Sequence, residues 1–162
     1  MKTNIFLLLS LFGMVVCSSC ASSKKSSSEL VATSGVVKRQ MEEKDITVQV
    51  DHVYPLRGKS YVVNHGYYLT LRKDTVCSYL PYLGVAYTSH YGGGNALDFK
   101  APFTDYVSTV DKKGAYNISF SVQTAMDRFV FHLKVYDNGR SSIYVQPVNR
   151  QSISYDGYID EK

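Results

Sequence analysis

The sequence predicts an all-β domain: an antiparallel meander that closes into a β-barrel, with a short N-terminal helix and a two-sheet β-sandwich as the alternative architecture. Three observations predict it. Apolar and polar residues alternate with period two, as in Tyr116, Ile118, Phe120, Val122 and again in Phe129, Phe131, Leu133, Val135. Short turn-forming clusters separate these runs, among them Lys112-Lys113-Gly114, Thr124–Asp127 and Asp137-Asn138-Gly139-Arg140. The composition holds 14 Tyr and no Trp and is rich in β-branched residues, which pack well on a pleated surface.

The chain opens with Met1-Lys2, an apolar run from Ile5 to Val16, and Cys17-Ser18-Ser19-Cys20. That run falls short of the roughly 20 apolar residues that span a bilayer. It has the length of an export signal instead. A small residue must precede an acylated cysteine at the scissile bond. Ser19 meets that need before Cys20, whereas bulky Val16 precedes Cys17. Cys20 is therefore the expected lipid-attachment site, with Cys17 the alternative, residues 1–19 the signal peptide, and acyl chains the membrane anchor, at about 0.8 kcal/mol per buried methylene. Cys77 is left without a partner, so no disulfide framework is expected.

Ser/Lys-rich sequence from Ala21 to Ser28 marks residues 20–33 as a flexible tether. Val36, Val37 and Met41 allow a short helix over Ser34–Glu43, which Gly35 weakens by about 1 kcal/mol. Residues 34–162 form the single expected domain. Ile46, Val48 and Val50 begin the strands, and Tyr61–Val63 and Tyr67–Leu71 flank a turn at Asn64-His65-Gly66. Val76–Leu80 and Tyr82–Tyr87 are interrupted by Pro81, which cannot donate to a central ladder. His90–Asn95 reads as a Gly-rich loop. Asn138-Gly139 is a strong hairpin signal before Ile143–Val145, and a last strand runs near Ser152–Tyr158. About eight to ten strands result, and closure removes their exposed edges.

Several runs together resemble a family of exported Bacteroidota proteins, domain of unknown function 4251. They are Tyr79-Leu80-Pro81-Tyr82-Leu83-Gly84-Val85-Ala86-Tyr87, Tyr91-Gly92-Gly93-Gly94, Leu97-Asp98-Phe99 and Asn149–Gly157. The resemblance implies a lipocalin-like barrel, and it implies no activity and no functional residues. Surface-exposed lipoproteins of that bacterial group often carry acids just after the cysteine. Ala21-Ser22-Ser23-Lys24-Lys25 has none, so the resemblance favours a periplasm-facing protein in the cell envelope.

The charge balance is weak: 18 basic against 14 acidic residues, with no basic stripe of the kind nucleic acid requires. The four histidines show no metal-ligand spacing, no nucleophile elbow is present, and the scattered aspartates form no evident pair. A non-enzymatic module without cofactor or metal is expected. Its candidate ligand- or partner-binding residues are Tyr79, Tyr82, Tyr87, His90, Tyr91, Gly92, Gly93 and Gly94. Tyrosine rings stack on sugars or dock proteins, and a glycine run offers backbone N–H groups to an anion, although it also simply permits a tight loop. The expected function is an envelope-anchored binding module for a small apolar or amphipathic ligand held in the barrel. The alternative is an interaction protein that docks a periplasmic partner through a tyrosine-rich surface.

Overall fold

A computed structural model describes residues 27–64, 66–85, 87 and 97–160. Helix α1 (Ser27–Glu43) leads into β1 (Asp45–Pro55), β2 (Tyr61–Val62), β3 (Tyr68–Arg72), β4 (Thr75–Leu80), β5 (Leu97–Val110), β6 (Tyr116–Gln123), β7 (Arg128–Val135), β8 (Arg140–Pro147) and β9 (Ile153–Ile159). Every pairing is antiparallel. From β3 to β9 each strand pairs with the next, and β1 closes the ring by pairing with β3 on one side and β9 on the other. The barrel is thus eight-stranded and closed, with no sandwich of separate sheets.

Closure depends on a close approach. Val50 pairs with Gly157 and His52 with Asp156, so Asp51 is an extra residue on β1, a bulge. A Cβ on Gly157 would collide with the Gln49 carbonyl, lying 2.9 Å from its carbon and 3.1 Å from Val50 Cα. Only glycine fits there.

The interior is lined by the inward set of the alternation. Phe120 and Phe131 stack face to face at 5.0 Å, Phe103 lies 5.4 Å from Phe120, and Phe99 stacks on Phe129 at 5.3 Å. Leu69, Leu71, Ile118, Leu133, Ile143, Val145 and Tyr155 complete a single core. Fully burying one such large apolar side chain stabilises by about 1.5–3 kcal/mol. Val37 and Met41 of α1 join this core, and the Gln40 amide donates to the Asp160 carbonyl at 2.7 Å. The helix therefore covers the barrel end that carries the β3–β4 and β7–β8 turns.

Four local expectations need correction. The helix starts at Ser27, not Ser34, so the last part of the expected tether is helical. The Ser-x-x-Glu run ending at Glu29 is a helix-start pattern that the low-complexity composition hides. Tyr61–Val62 and Tyr68–Arg72 do not pair with each other; both lie along the same side of β1. Residues 82–85 and Tyr87 are not strand. Finally, the longest strand, β5, is absent from the residue-by-residue expectation. Its alternation is interrupted by Pro102 and by a bulge at Asp105, which adopts φ 56°. Pro102 is tolerated because it sits where the ladder with β4 ends and that with β6 begins.

Candidate functional site

Cys20, His90, Tyr91, Gly92, Gly93 and Gly94 lie outside the described residues. Tyr79, Tyr82 and Tyr87 lie within them, and the fold separates them into two places. Tyr79 points outward from β4, where its ring stacks on Tyr67 at 5.3 Å and meets Tyr68, its partner on β3, at 6.0 Å. Tyr82 and Tyr87 belong to a strap that runs across the barrel end opposite the helix.

Backbone pairing ties the strap to the β8–β9 connection: Tyr87 N donates to Asn149 O at 2.9 Å and Gln151 N to Val85 O at 3.1 Å. The Tyr82 hydroxyl donates to Gln151 O at 2.9 Å, and its ring lies under the Arg150 guanidinium at 5.9 Å. From the barrel interior the Tyr155 hydroxyl reaches up to Pro81 O at 2.9 Å. Burial pushes both hydroxyls above the ordinary tyrosine range, Tyr155 most strongly. Asp127 anchors the whole end. Its wholly buried carboxylate accepts from Arg128 N (2.8 Å), Asn149 N (3.2 Å), Asn149 Nδ2 (3.2 Å) and Arg150 Nε (3.2 Å).

Where a ligand cavity is expected, the described strands crowd the barrel interior with phenylalanines, Phe120, Phe129 and Phe131 fully buried and Phe99 and Phe103 partly so. Two concavities open on the outside. One, of about 400 Å³, lies between α1 and the barrel, where Arg72 holds Asp45 at 3.2 Å and Gln40 is tied to Asp160. Its polar groups largely hold each other.

The other, of about 370 Å³, is an outer groove across β5, β6, β7 and β8. Alternation builds it: the residues between the buried Ile118, Phe120, Phe131 and Leu133 face outward. Asn117, Ser119 and Ser142 supply a low polar floor, and Val107, His132, Lys134 and Tyr144 stand around it. His132 and Tyr144 are direct cross-strand partners whose rings stack at 6.0 Å. The Lys134 ammonium is held 3.1 Å from the Asp111 carboxylate. Backbone N–H groups of Ala115 and Lys113, together with Lys134, keep that carboxyl below its usual range.

A second charged group borders the β1 bulge. Asp51 accepts from Arg140 Nη1 at 2.8 Å and lies 2.9 Å from His52 Nδ1. Burial raises the Asp51 pKa, but the hydrogen bonds and charges of His52 and Arg140 outweigh it, and the net shift is downward. The Tyr54 hydroxyl is pushed up, first by its hydrogen bond to Asp156. No cluster of three or more metal-ligating side chains occurs among the described residues.

The sequence expectation missed the groove because its residues are scattered over four strands. One signal was available. The turn at Asp137–Gly139 brackets Tyr136 and Arg140, and counting back from it pairs His132 with Tyr144.

A family model for a domain of unknown function, DUF4251, matches residues 32–159. The chain belongs to the DUF4251 family. A crystal structure of a DUF4251 family protein from Bacteroides eggerthii DSM 20697 superposes with a TM-score of 0.61 at 16% identity, covering 80% of this chain and 87% of that one. That likeness shows a shared barrel. No curated protein matches the chain at a significant level.

Proposed function

We propose that this DUF4251 protein is an envelope-anchored, non-enzymatic binding module that works through the outside of its barrel. The carrying observation is the contrast between a barrel interior crowded by the buried Phe120, Phe129 and Phe131 with the partly buried Phe99 and Phe103, and an open outer groove. At about 370 Å³ the groove has the size of a small-ligand site, which typically starts near 300 Å³. Its aromatic wall and polar floor suit an amphipathic ligand better than a purely apolar one.

The test is a titration with dodecyldimethylamine oxide below its micelle concentration, followed through aromatic ring signals in NMR. Tyr144 and His132 signals shift while Phe120 and Phe131 signals stay fixed. Shifts confined to the phenylalanines would refute outer-face binding. The anchoring half of the proposal rests on the Cys20 signal pattern. Labelled fatty acid enters the wild-type chain and not Cys20→Ser, and label persisting in the variant would contradict it.

One observation favours a second reading, a protein-docking role: Tyr79, 40% exposed on the outer face of β4, stacks on Tyr67 and meets Tyr68 at a tilt of 42°. A photo-crosslinker placed at Tyr79 captures one defined envelope protein under that reading and none under the first.

A further inference from the structure

We propose that the groove continues across β9 onto β1 as a binding track for a neutral oligosaccharide, a reading that rests on the outer-face binding proposed above. Cross-strand register sets out the track. Ser119 pairs with His132, His132 with Tyr144, Tyr144 with Ser154, and Ser154 with Tyr54, so five outward side chains form one line around the barrel.

Two stacked aromatic pairs mark this line, with His52 standing one outward position off it. His132 and Tyr144 lie 6.0 Å apart with planes 27° from parallel, and His52 and Tyr54 lie 6.3 Å apart at 16°. Between Tyr144 and Tyr54 stands the small hydroxymethyl group of Ser154, with Asp156, the next outward residue of β9, beside His52. Tyr144 and Tyr54 are thus two strand spacings apart, about 9–10 Å, roughly the span of two linked pyranose rings. Both tyrosines remain about two-fifths exposed.

The remaining chemistry selects the ligand class. Asn117, Ser119, Ser142 and Ser154 place hydroxyl and amide groups beside the rings, which suits the hydroxyl rim of a sugar whose apolar face lies on an aromatic plane. The bordering cations are matched, Lys134 by Asp111 at 3.1 Å and Arg140 by Asp51 at 2.8 Å, while the Asp156 carboxylate accepts from the neutral Tyr54 hydroxyl and keeps its charge. With both cations neutralised the track offers no positive field to a polyanion, and one carboxylate alone gives a cationic peptide little hold. It offers little aliphatic surface to an apolar peptide either, since Val107 is its one exposed aliphatic wall.

The experiment titrates the ¹⁵N-labelled full-length chain with cellotetraose and, separately, with tetra-N-acetylchitotetraose. Binding of at least one shifts the amides of Ser119, His132, Tyr144, Ser154 and Tyr54 together. Tyr144→Ala and Tyr54→Ala each weaken it about three- to tenfold, the scale of one aromatic stacking contact. Ser154→Arg, an outward and tolerated change, obstructs the middle of the line and abolishes binding while the spectrum stays folded. Absence of shifts with both sugars at 10 mM (about the weakest affinity worth the name), or binding indifferent to all three substitutions, overturns the proposal. Should dodecyldimethylamine oxide still engage Tyr144 while neither sugar does, only the sugar assignment falls. Sugar-induced shifts centred on the Phe120 and Phe131 rings would remove both readings.

Discussion

Replacing Gly157 with alanine strikes the seam that closes the barrel. The added methyl would meet the Gln49 carbonyl group and sit 3.1 Å from Val50 Cα. Both obstacles are backbone, so no rotamer change relieves them; β1 and β9 must part locally. Overpacking of this kind costs about 1–3 kcal/mol, and each ladder hydrogen bond weakened by the separation adds about 1 kcal/mol. A total near 3–4 kcal/mol follows, or a drop of about 10 °C or more in Tm for a domain of this size. Urea unfolding followed by far-ultraviolet circular dichroism reads it directly, since the chain lacks tryptophan. A Gly157→Ala variant within 0.5 kcal/mol of wild type would show that the β1–β9 approach is looser than described and that the seam does not depend on glycine.

Four further outcomes are expected. Asp127→Ala leaves the nearly buried Arg150 without its carboxylate and destabilises by about 3–5 kcal/mol, with faster amide exchange at Val85 and Tyr87 as the local readout. Tyr155→Phe removes the hydrogen bond to Pro81 O and costs about 1 kcal/mol, measured by the same denaturation. Gly35→Ala meets nothing within 4 Å and stabilises α1 by about 0.5–1 kcal/mol, seen as a raised urea midpoint. The lowered Asp111 carboxyl lends stability that is fully present above the unfolded carboxylate value of 3.8 and is lost as pH falls through its folded value. Asp111→Asn therefore shows a shallower fall in urea midpoint below pH 4 than wild type, and parallel curves would contradict that role.

How far the sequence reveals the molecule depends on whether local or distant contacts decide each part. Strands β6, β7 and β8 are legible because the inward set Ile118, Phe120, Phe131, Leu133 and Val145 alternates without interruption, and the Asn138-Gly139 turn joins two of them. Gly139 takes φ 78° there, in a three-residue connection. Strand β5 is obscured because its two halves pair with different neighbours across a bulge at Asp105. The pairing of β2 and β3 with β1 depends on contacts across the barrel that no local pattern records. The tyrosine-rich stretch does mark two real features, the Tyr67–Tyr68–Tyr79 aromatic group and the Tyr82 strap. Neither is the groove, whose Ser119, His132 and Tyr144 come together only through register. Nor does alternation distinguish a hollow barrel from a filled one. That difference lies in side-chain volume: phenylalanines at 99, 103, 120, 129 and 131 converge on one space.

The phenylalanine-crowded interior is what turns attention to the outer face, and xenon uptake tests whether it is full most directly, because xenon enters dry apolar cavities of ligand size. In a crystal pressurised with xenon, or by ¹²⁹Xe NMR in solution, the barrel interior is predicted to take up no atom. A well-occupied xenon between Phe120, Phe131 and Val145 would reveal a lumen open to ligands and contradict the account.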